Sequence, residues 1–304
     1  MISVSVLPAF VNVVLPVVII VGIGYLGRQT MKLDIRPFNR LSLYVLSPAL
    51  IFSSLVRTDV GGDEGLRLAI FTAVMAVIIT ILAFLAATAL RYDQASRNAL
   101  ALTTVFGNAG NFGLASCLFA FGQDGFQRAV ILFIAQGFLL NTLAVYFASS
   151  ANLKPRDALK AVFRMPVVYA AIAAVLILFT GLRVPDPMFL PLQTIGNAAI
   201  PMMLLTLGMQ LVETPILNET SRVGVAVFGR LLLSPTLAYL LVPFFSLTGL
   251  AAKVAILTAA MPTAVTTAVL AIEFASWPKF VASVVIATTL LSIITLTALL
   301  SWLM

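Results

Sequence analysis

The sequence predicts an all-α membrane protein of ten transmembrane helices, arranged as two inverted five-helix repeats with crossed, broken helices 4 and 9. Three observations predict it: charge is scarce, it is confined to short loops, and the two halves share sequence features at a near-constant shift. Of 304 residues, 61% are apolar and 10% charged, where a soluble domain is roughly 25% charged. The chain has no His and a single cysteine, Cys117. A zinc enzyme, a Ser-His-Asp hydrolase and a disulfide-stapled domain are thereby excluded, and neither a metal nor a cofactor is expected. The net charge of +7 contains no dense basic run. The expected partner is therefore the lipid bilayer and not nucleic acid.

Taken in order, uncharged runs cover residues 1–27, 41–56, 68–90, 98–123, 129–153, 165–182, 187–212, 231–252, 254–272 and 280–304. A spanning helix needs about 20 apolar residues, within a range of about 17 to 25. Each run is therefore read as one span, the second extended back through Arg40 to Phe38 with Arg40 snorkelling to the interface. The first run lacks a basic segment ahead of it and is followed by Arg28 and Lys32, so it is expected to be a retained span and not a signal peptide. Loops after spans 1, 3, 5, 7 and 9 hold twelve basic residues: Arg28, Lys32, Arg36, Arg40, Arg91, Arg97, Lys154, Arg156, Lys160, Arg164, Arg222 and Lys279. The opposite loops hold five, Arg57, Arg67, Arg128, Arg183 and Lys253, leaving Arg230 inside span 8. Basic loops stay in the cytoplasm, so both termini are expected outside a cell membrane.

The halves are expected to be residues 1–151 and 165–304, joined by a short cytoplasmic linker at 152–164. Pro16-Val17-Val18 recurs as Pro166-Val167-Val168, and Leu46-Ser47-Pro48-Ala49-Leu50-Ile51-Phe52 faces Ala199-Ile200-Pro201-Met202-Met203-Leu204-Leu205. Ala101-Leu102-Thr103 matches Ile256-Leu257-Thr258. Each identity alone is weak; their similar shifts of 150, 153 and 155 residues are the signal. Because each half has an odd number of spans, the second enters the membrane from the other side. That inverted repeat is the architecture of alternating-access carriers, whose site lies at the bilayer midplane.

Span 4 contains Phe106-Gly107-Asn108-Ala109-Gly110-Asn111-Phe112-Gly113, and span 9 carries Met261-Pro262-Thr263-Ala264-Val265-Thr266-Thr267 at the matching place. Gly costs about 1 kcal/mol in a helix interior, Asn competes for backbone hydrogen bonds, and Pro deletes a donor. Irregular backbone at this depth is tolerated only inside protein or beside a wet cavity. Crossed breaks would present two half-helix N-termini, each equivalent to roughly half a positive charge, to an anion such as a carboxylate. Asn108 and Asn111 would add amide donors, and Thr263, Thr266 and Thr267 hydroxyls. The competing reading makes Gly107, Gly110 and Gly113 a close-packing stripe. Pro48 and Pro201 either contact substrate or only kink their helices, and Gln136 and Asn141 either join the site or bond helix to helix. Arg230 either attracts an anion at the cytoplasmic entrance or snorkels to the interface.

At these residues the chain resembles the auxin efflux carrier family, including bacterial members described as malate or malonate permeases. Four segments carry the likeness: Asn39 with Pro48-Ala49-Leu50-Ile51-Phe52, Asn108 to Leu114, Pro201 to Leu211, and Thr288 to Leu296. The resemblance implies an NhaA-like fold in which spans 1, 2, 6 and 7 form a scaffold and a homodimer contact. Spans 3 to 5 and 8 to 10 would form a moving transport domain that binds substrate at Asn108 and around Pro262. One departure is Ala115, where the family has Pro after Gly-Leu. The break in span 4 would then rest on the three glycines.

Ten of the eleven acidic residues lie in loops or at span ends, and Glu273 lies near Lys279, with which it is expected to pair. No midplane acid pair is available for proton exchange. A carrier for small organic anions is the leading expectation. A sodium-coupled symporter of the same fold and a channel are the alternatives. An enzyme would need a nucleophile and base that the spans do not supply.

Overall fold

The computed structural model describes residues 3–58, 60–144, 147, 166–212, 220–273 and 276–304; of Asn141 and Glu273 it describes the backbone alone. The expected linker 152–164 and the Glu273–Lys279 pairing fall outside the described residues and side chains. Every regular element among the described residues is helical. We number them α1 (Val6–Met31), α2 (Ile35–Val56), α3 (Gly62–Ala89), α4 (Gln94–Val105), α5 (Ala109–Leu139), α6 (Pro166–Thr180), α7 (Asp186–Val212), α8 (Ser221–Phe245), α9 (Gly249–Ala259), α10 (Val265–Glu273) and α11 (Pro278–Leu303). By length and composition seven of them, α1, α2, α3, α5, α7, α8 and α11, are long and apolar enough to cross a membrane, α5 being interrupted at Gly122, and α6 and α9 are shorter apolar helices.

The long helices are predominantly apolar, which suits lipid on one side and protein on the other. Along α3, Leu68, Phe71, Met75, Ile79 and Ala87 are buried, while Ile70, Val77, Ile81 and Leu85 on the opposite face stay exposed. Hydroxyls within these helices bond to their own backbone, as Thr72 does to the Leu68 carbonyl and Thr289 to that of Val285. No polar hydrogen is thus left facing hydrocarbon at those positions.

Prolines shape three of the spans. The widened π turns Phe10–Val14, Ser42–Leu46 and Gly229–Leu233 are each followed by Pro at the second residue beyond, namely Pro16, Pro48 and Pro235. A proline ring clashes with the carbonyl four residues back, and opening the turn by one residue relieves that clash. Pro48 thus shapes the backbone of its span beside Ser47. Pro201 sits exposed at the start of the Ala199–Val212 helix.

Two helix pairs make the largest contacts between elements: α1 with the second half of α7, and α2 with α6. Small residues permit the first. A Cβ added to Gly24 would lie 2.1 Å from the Leu205 carbonyl oxygen, and one added to Gly208 would lie 1.9 Å from that of Val21. Gly196 plays the same part against α2, where a Cβ would meet the Leu50 Cα at 2.8 Å.

The turn between the expected spans 4 and 5 falls at Gly122 and not at the charged stretch 124–128. Gly122 adopts φ +65° and ψ −159° in the middle of α5, a conformation that only glycine adopts cheaply. Arg128 instead lies in the following helical segment and pairs with Glu64 at 2.6 Å. At the entry to the broken region, Asp93 caps α4 by accepting from the Ser96 N–H at 3.0 Å. Hydrogen bonds from the Ser96 side chain and backbone hold the Asp93 carboxyl below the usual carboxylate range.

Candidate functional site

The two interrupted segments meet in the buried middle of the molecule. Beyond the end of α4 the backbone is extended at Phe106 (φ −98°, ψ 103°). Gly107 pairs antiparallel with Thr263 in an isolated β-bridge. The pairing is held by Asn108 N–H to the Pro262 carbonyl at 2.6 Å and by Ala264 N–H to the Phe106 carbonyl at 2.9 Å. Asn108 is the centre of an inverse γ-turn, with φ −79° and ψ 63° and an Ala109 N–H to Gly107 carbonyl bond of 2.9 Å. Gly and Asn disfavour helix here, and Pro262 lacks the N–H that would continue α9. Each strand therefore leaves open backbone groups that the other satisfies. Ala115 is fully buried in helix, so the break does not need a proline in α5; the crossing strand supplies the restraint.

The glycines divide into two kinds. Gly107 lies in the break, where an added Cβ would stand 3.2 Å from the Arg230 guanidinium carbon. Gly110 and Gly113 lie in the π turn Ala109–Gly113. A Cβ on Gly110 would meet Phe133 at 2.8 Å and one on Gly113 would meet Met261 at 3.3 Å. Both glycines therefore make room for a neighbouring side chain within an irregular turn that directly follows the break.

The expected hydroxyls also separate. Thr263 is fully buried and committed: its Oγ1 donates to the Thr103 carbonyl at 2.8 Å, and its N–H donates to Thr288 Oγ1 at 3.1 Å. Thr267 is fully buried and donates to the Ala264 carbonyl of its own segment at 2.7 Å. Thr266 is exposed toward a cavity. Gln136, in α5, donates its amide to the Gly107 carbonyl of the break and so ties that helix to the crossing. Substituting Thr263 by Val removes one buried bond across the crossing, so a loss of about 1 kcal/mol in stability is expected. Thermal unfolding of the purified protein, compared with wild type, checks it.

Arg230 corrects the snorkelling reading outright. It is 2% exposed, in the π turn Gly229–Leu233 that precedes Pro235. Its Nη1 donates to the carbonyls of Thr104 at 2.9 Å and Val105 at 3.1 Å. Its Nη2 donates to Ser234 Oγ at 3.1 Å and to the Ala259 carbonyl. These carbonyls belong to the C-terminal ends of α4 and α9. A cavity of about 50 Å³ adjoins it, lined among others by Gln136, Ser234 and Thr258.

Asn108 is 5% exposed, and its Oδ1 accepts from the Asn111 N–H at 3.1 Å, capping the helix that follows. Its Nδ2 is buried with no protein partner. A buried donor left open is costly and points to a bond made with something else. Next to this region lies a second cavity of about 570 Å³, where Asn111 and Thr266 face Asn39, Ser42, Thr206 and Gln210 across an apolar wall that includes Phe133, Val168 and Met203. No charged side chain lines it among the described residues. Ser42, Thr206 and Gln210 were not singled out in the sequence, although each is a polar residue inside an otherwise apolar span. Asn39 and Gln210 meet across the cavity at 3.4 Å. Asn39 near the start of α2, Val167 in the first turn of α6 and Gln210 in the last turn of α7 place the cavity toward one end of the bundle. The Asn141 side chain lies outside the described set.

Comparison with known proteins adds the following. Residues 9–300 match the model of a family described as "Membrane transport protein". An "Uncharacterized transporter" of Methanocaldococcus jannaschii is 25% identical over 304 residues, covering 96% of this chain and 98% of that protein. A second, of Methanothermobacter thermautotrophicus, is 27% identical over 93% of this chain and 95% of its own length. A protein of Rhizobium meliloti named "Putative malonate transporter" is 26% identical over 92% of each chain.

Proposed function

The chain belongs to the membrane transport protein family, and we propose that it is a secondary carrier that moves small organic anions, carboxylates foremost, by alternating access. One observation carries the reading. The two breaks pair with each other beside a cavity that no carboxylate lines among the described residues, leaving a buried amide donor at Asn108 and half-helix N-termini close to Asn111 and Thr266. Backbone dipoles and amide donors are an anion's partners, not a cation's. In this reading Asn111 and Thr266 face the substrate from the cavity wall, Asn108, buried behind that wall, offers its open amide, Gly107 and Pro262 shape the backbone, and Thr263 and Thr267 support it. The malonate in one relative's name is of the same chemical class.

The inverted repeat belongs to the same reading. An exchange of halves turns span 1 into 6 and span 7 into 2, so the α1·α7 contact becomes the α6·α2 contact, and these are the two largest. Spans 1, 2, 6 and 7 are then a scaffold, which also offers a dimer contact, and the helices around the crossing are the moving body. The cavity between the two groups is the route. On the twelve-to-five bias of basic residues its end of the bundle is cytoplasmic. There Arg28, Arg36 and Arg40 would draw anions toward it.

Ligand-dependent thermal stability of the purified protein tests this. A dicarboxylate such as malonate is expected to raise the midpoint saturably, because a ligand that binds only the folded state stabilises it in proportion to occupancy. A diamine of equal length should not. A rise with the diamine alone would refute an anion site.

A further inference from the structure

The anion reading uses the N-terminal ends of the half-helices and leaves open what their C-terminal ends do. In carriers built on broken helices those ends, with the unwound carbonyls beside them, are where a coupling cation is held. Here the ends of α4 and α9 converge on Arg230, whose guanidinium reaches the carbonyls of Thr104, Val105 and Ala259 and the hydroxyl of Ser234. Three carbonyls and a hydroxyl around one positive charge are an oxygen set that would also serve a hard monovalent cation. No acidic side chain is bonded to Arg230 among the described residues.

The charges balance without one. Each helix C-terminus is equivalent to roughly half a negative charge, so two make about one unit, which matches one guanidinium. Both helices are long enough for the dipole to count, with 12 residues in α4 and 11 in α9. Gly107 is part of the fit, since the guanidinium passes 3.2 Å from where its Cβ would stand. Ser234 donates its own proton to the Ala259 carbonyl at 2.9 Å, which leaves its lone pairs for Arg230.

We propose that Arg230 is a tethered cation occupying the position in which a crossed-helix carrier would otherwise bind its coupling ion, so that this protein holds its crossing together, and works, without sodium. A soluble ion binds and leaves with each cycle. A side chain covalently fixed to α8 does not, so the charge that the crossing needs is present in every state. This inference rests on the crossing as the site of an anion carrier, and it excludes the sodium-coupled alternative.

Two readouts test it, the first independent of transport. Thermal unfolding of the purified wild-type protein is expected to give the same midpoint in sodium chloride as in choline chloride of equal concentration. Arg230→Ala should unfold at a lower temperature, and methylguanidinium or sodium, but not choline, should restore part of the loss. Arg230→Lys, which keeps a point charge but not the fork, should fall between the two. A sodium-specific rise in the wild type, or an Arg230→Ala protein that no small cation restores, overturns the proposal. If Arg230→Ala yields no folded protein, the wild-type and Arg230→Lys comparisons decide alone. The second readout is malonate uptake into proteoliposomes, where initial rates with sodium and with choline outside should agree. A rate that requires sodium overturns the tethered-cation proposal and leaves the carrier reading intact. No uptake of any carboxylate refutes the carrier reading while the unfolding comparison still reports on Arg230.

Discussion

Asn108→Asp is expected to keep the helix cap, at a stability cost for its buried carboxylate, but no longer to transport a carboxylate. The substitution separates two jobs of one side chain. Oδ1 caps the helix through the Asn111 N–H, and Asp caps as well as Asn does. Nδ2 is the buried donor without a protein partner, and Asp replaces it with an oxygen that repels an anion. Asn108→Ala loses both jobs, with a stability cost of about 1 kcal/mol for the missing cap. Loss of one hydrogen bond to a charged group, worth about 1.5–3 kcal/mol, lowers substrate affinity roughly 10- to 100-fold. Uptake into proteoliposomes, normalised to folded carrier, measures both variants. Wild-type uptake by the Asp variant would remove Asn108 from the site.

Gly208→Val should abolish the folded state altogether. Its Cβ would lie 1.9 Å from the Val21 carbonyl oxygen and 2.7 Å from the Tyr25 nitrogen. Both are backbone atoms of α1, so no rotamer change relieves the overlap and the two helices must separate along their contact. Ordinary overpacking costs about 1–3 kcal/mol, with side chains giving way. Here the expected cost exceeds that range, and the monodisperse peak of the detergent-solubilised protein on size exclusion should vanish. Gly137→Ala is the control: a Cβ there meets nothing within 4 Å, so the peak and its thermal midpoint should be retained.

Much of this molecule can be read from its sequence, for identifiable reasons. The Gly107-Asn108 and Pro262 breaks were visible because helix-breaking is a property of a few adjacent residues. Charge segregation was visible because each loop is a contiguous stretch. For Gly110 and Gly113 the sequence left two readings open, because composition does not distinguish a glycine that frees the backbone from one that makes room for Phe133 or Met261. Thr263 and Thr267 were expected at the substrate. Nothing local reveals that Thr263 is already bonded to Thr103, which lies 160 residues away in the chain.

Arg230 marks the division between the two kinds of information. The sequence by itself determined that this chain lives in a membrane, that two of its spans break, and that no acid stands near the breaks, since hydropathy, helix propensity and charge are local quantities. Only the tertiary structure decided that the breaks pair as Gly107 with Thr263, which amide donor stays open, and that a lone arginine closes two helix ends. Those are matters of hydrogen-bond satisfaction between segments as far apart as Arg230 and Thr104, separated by 126 residues. In a bilayer interior, where no water can take the place of a missing partner, that satisfaction decides which polar groups hold the fold and which remain for a ligand.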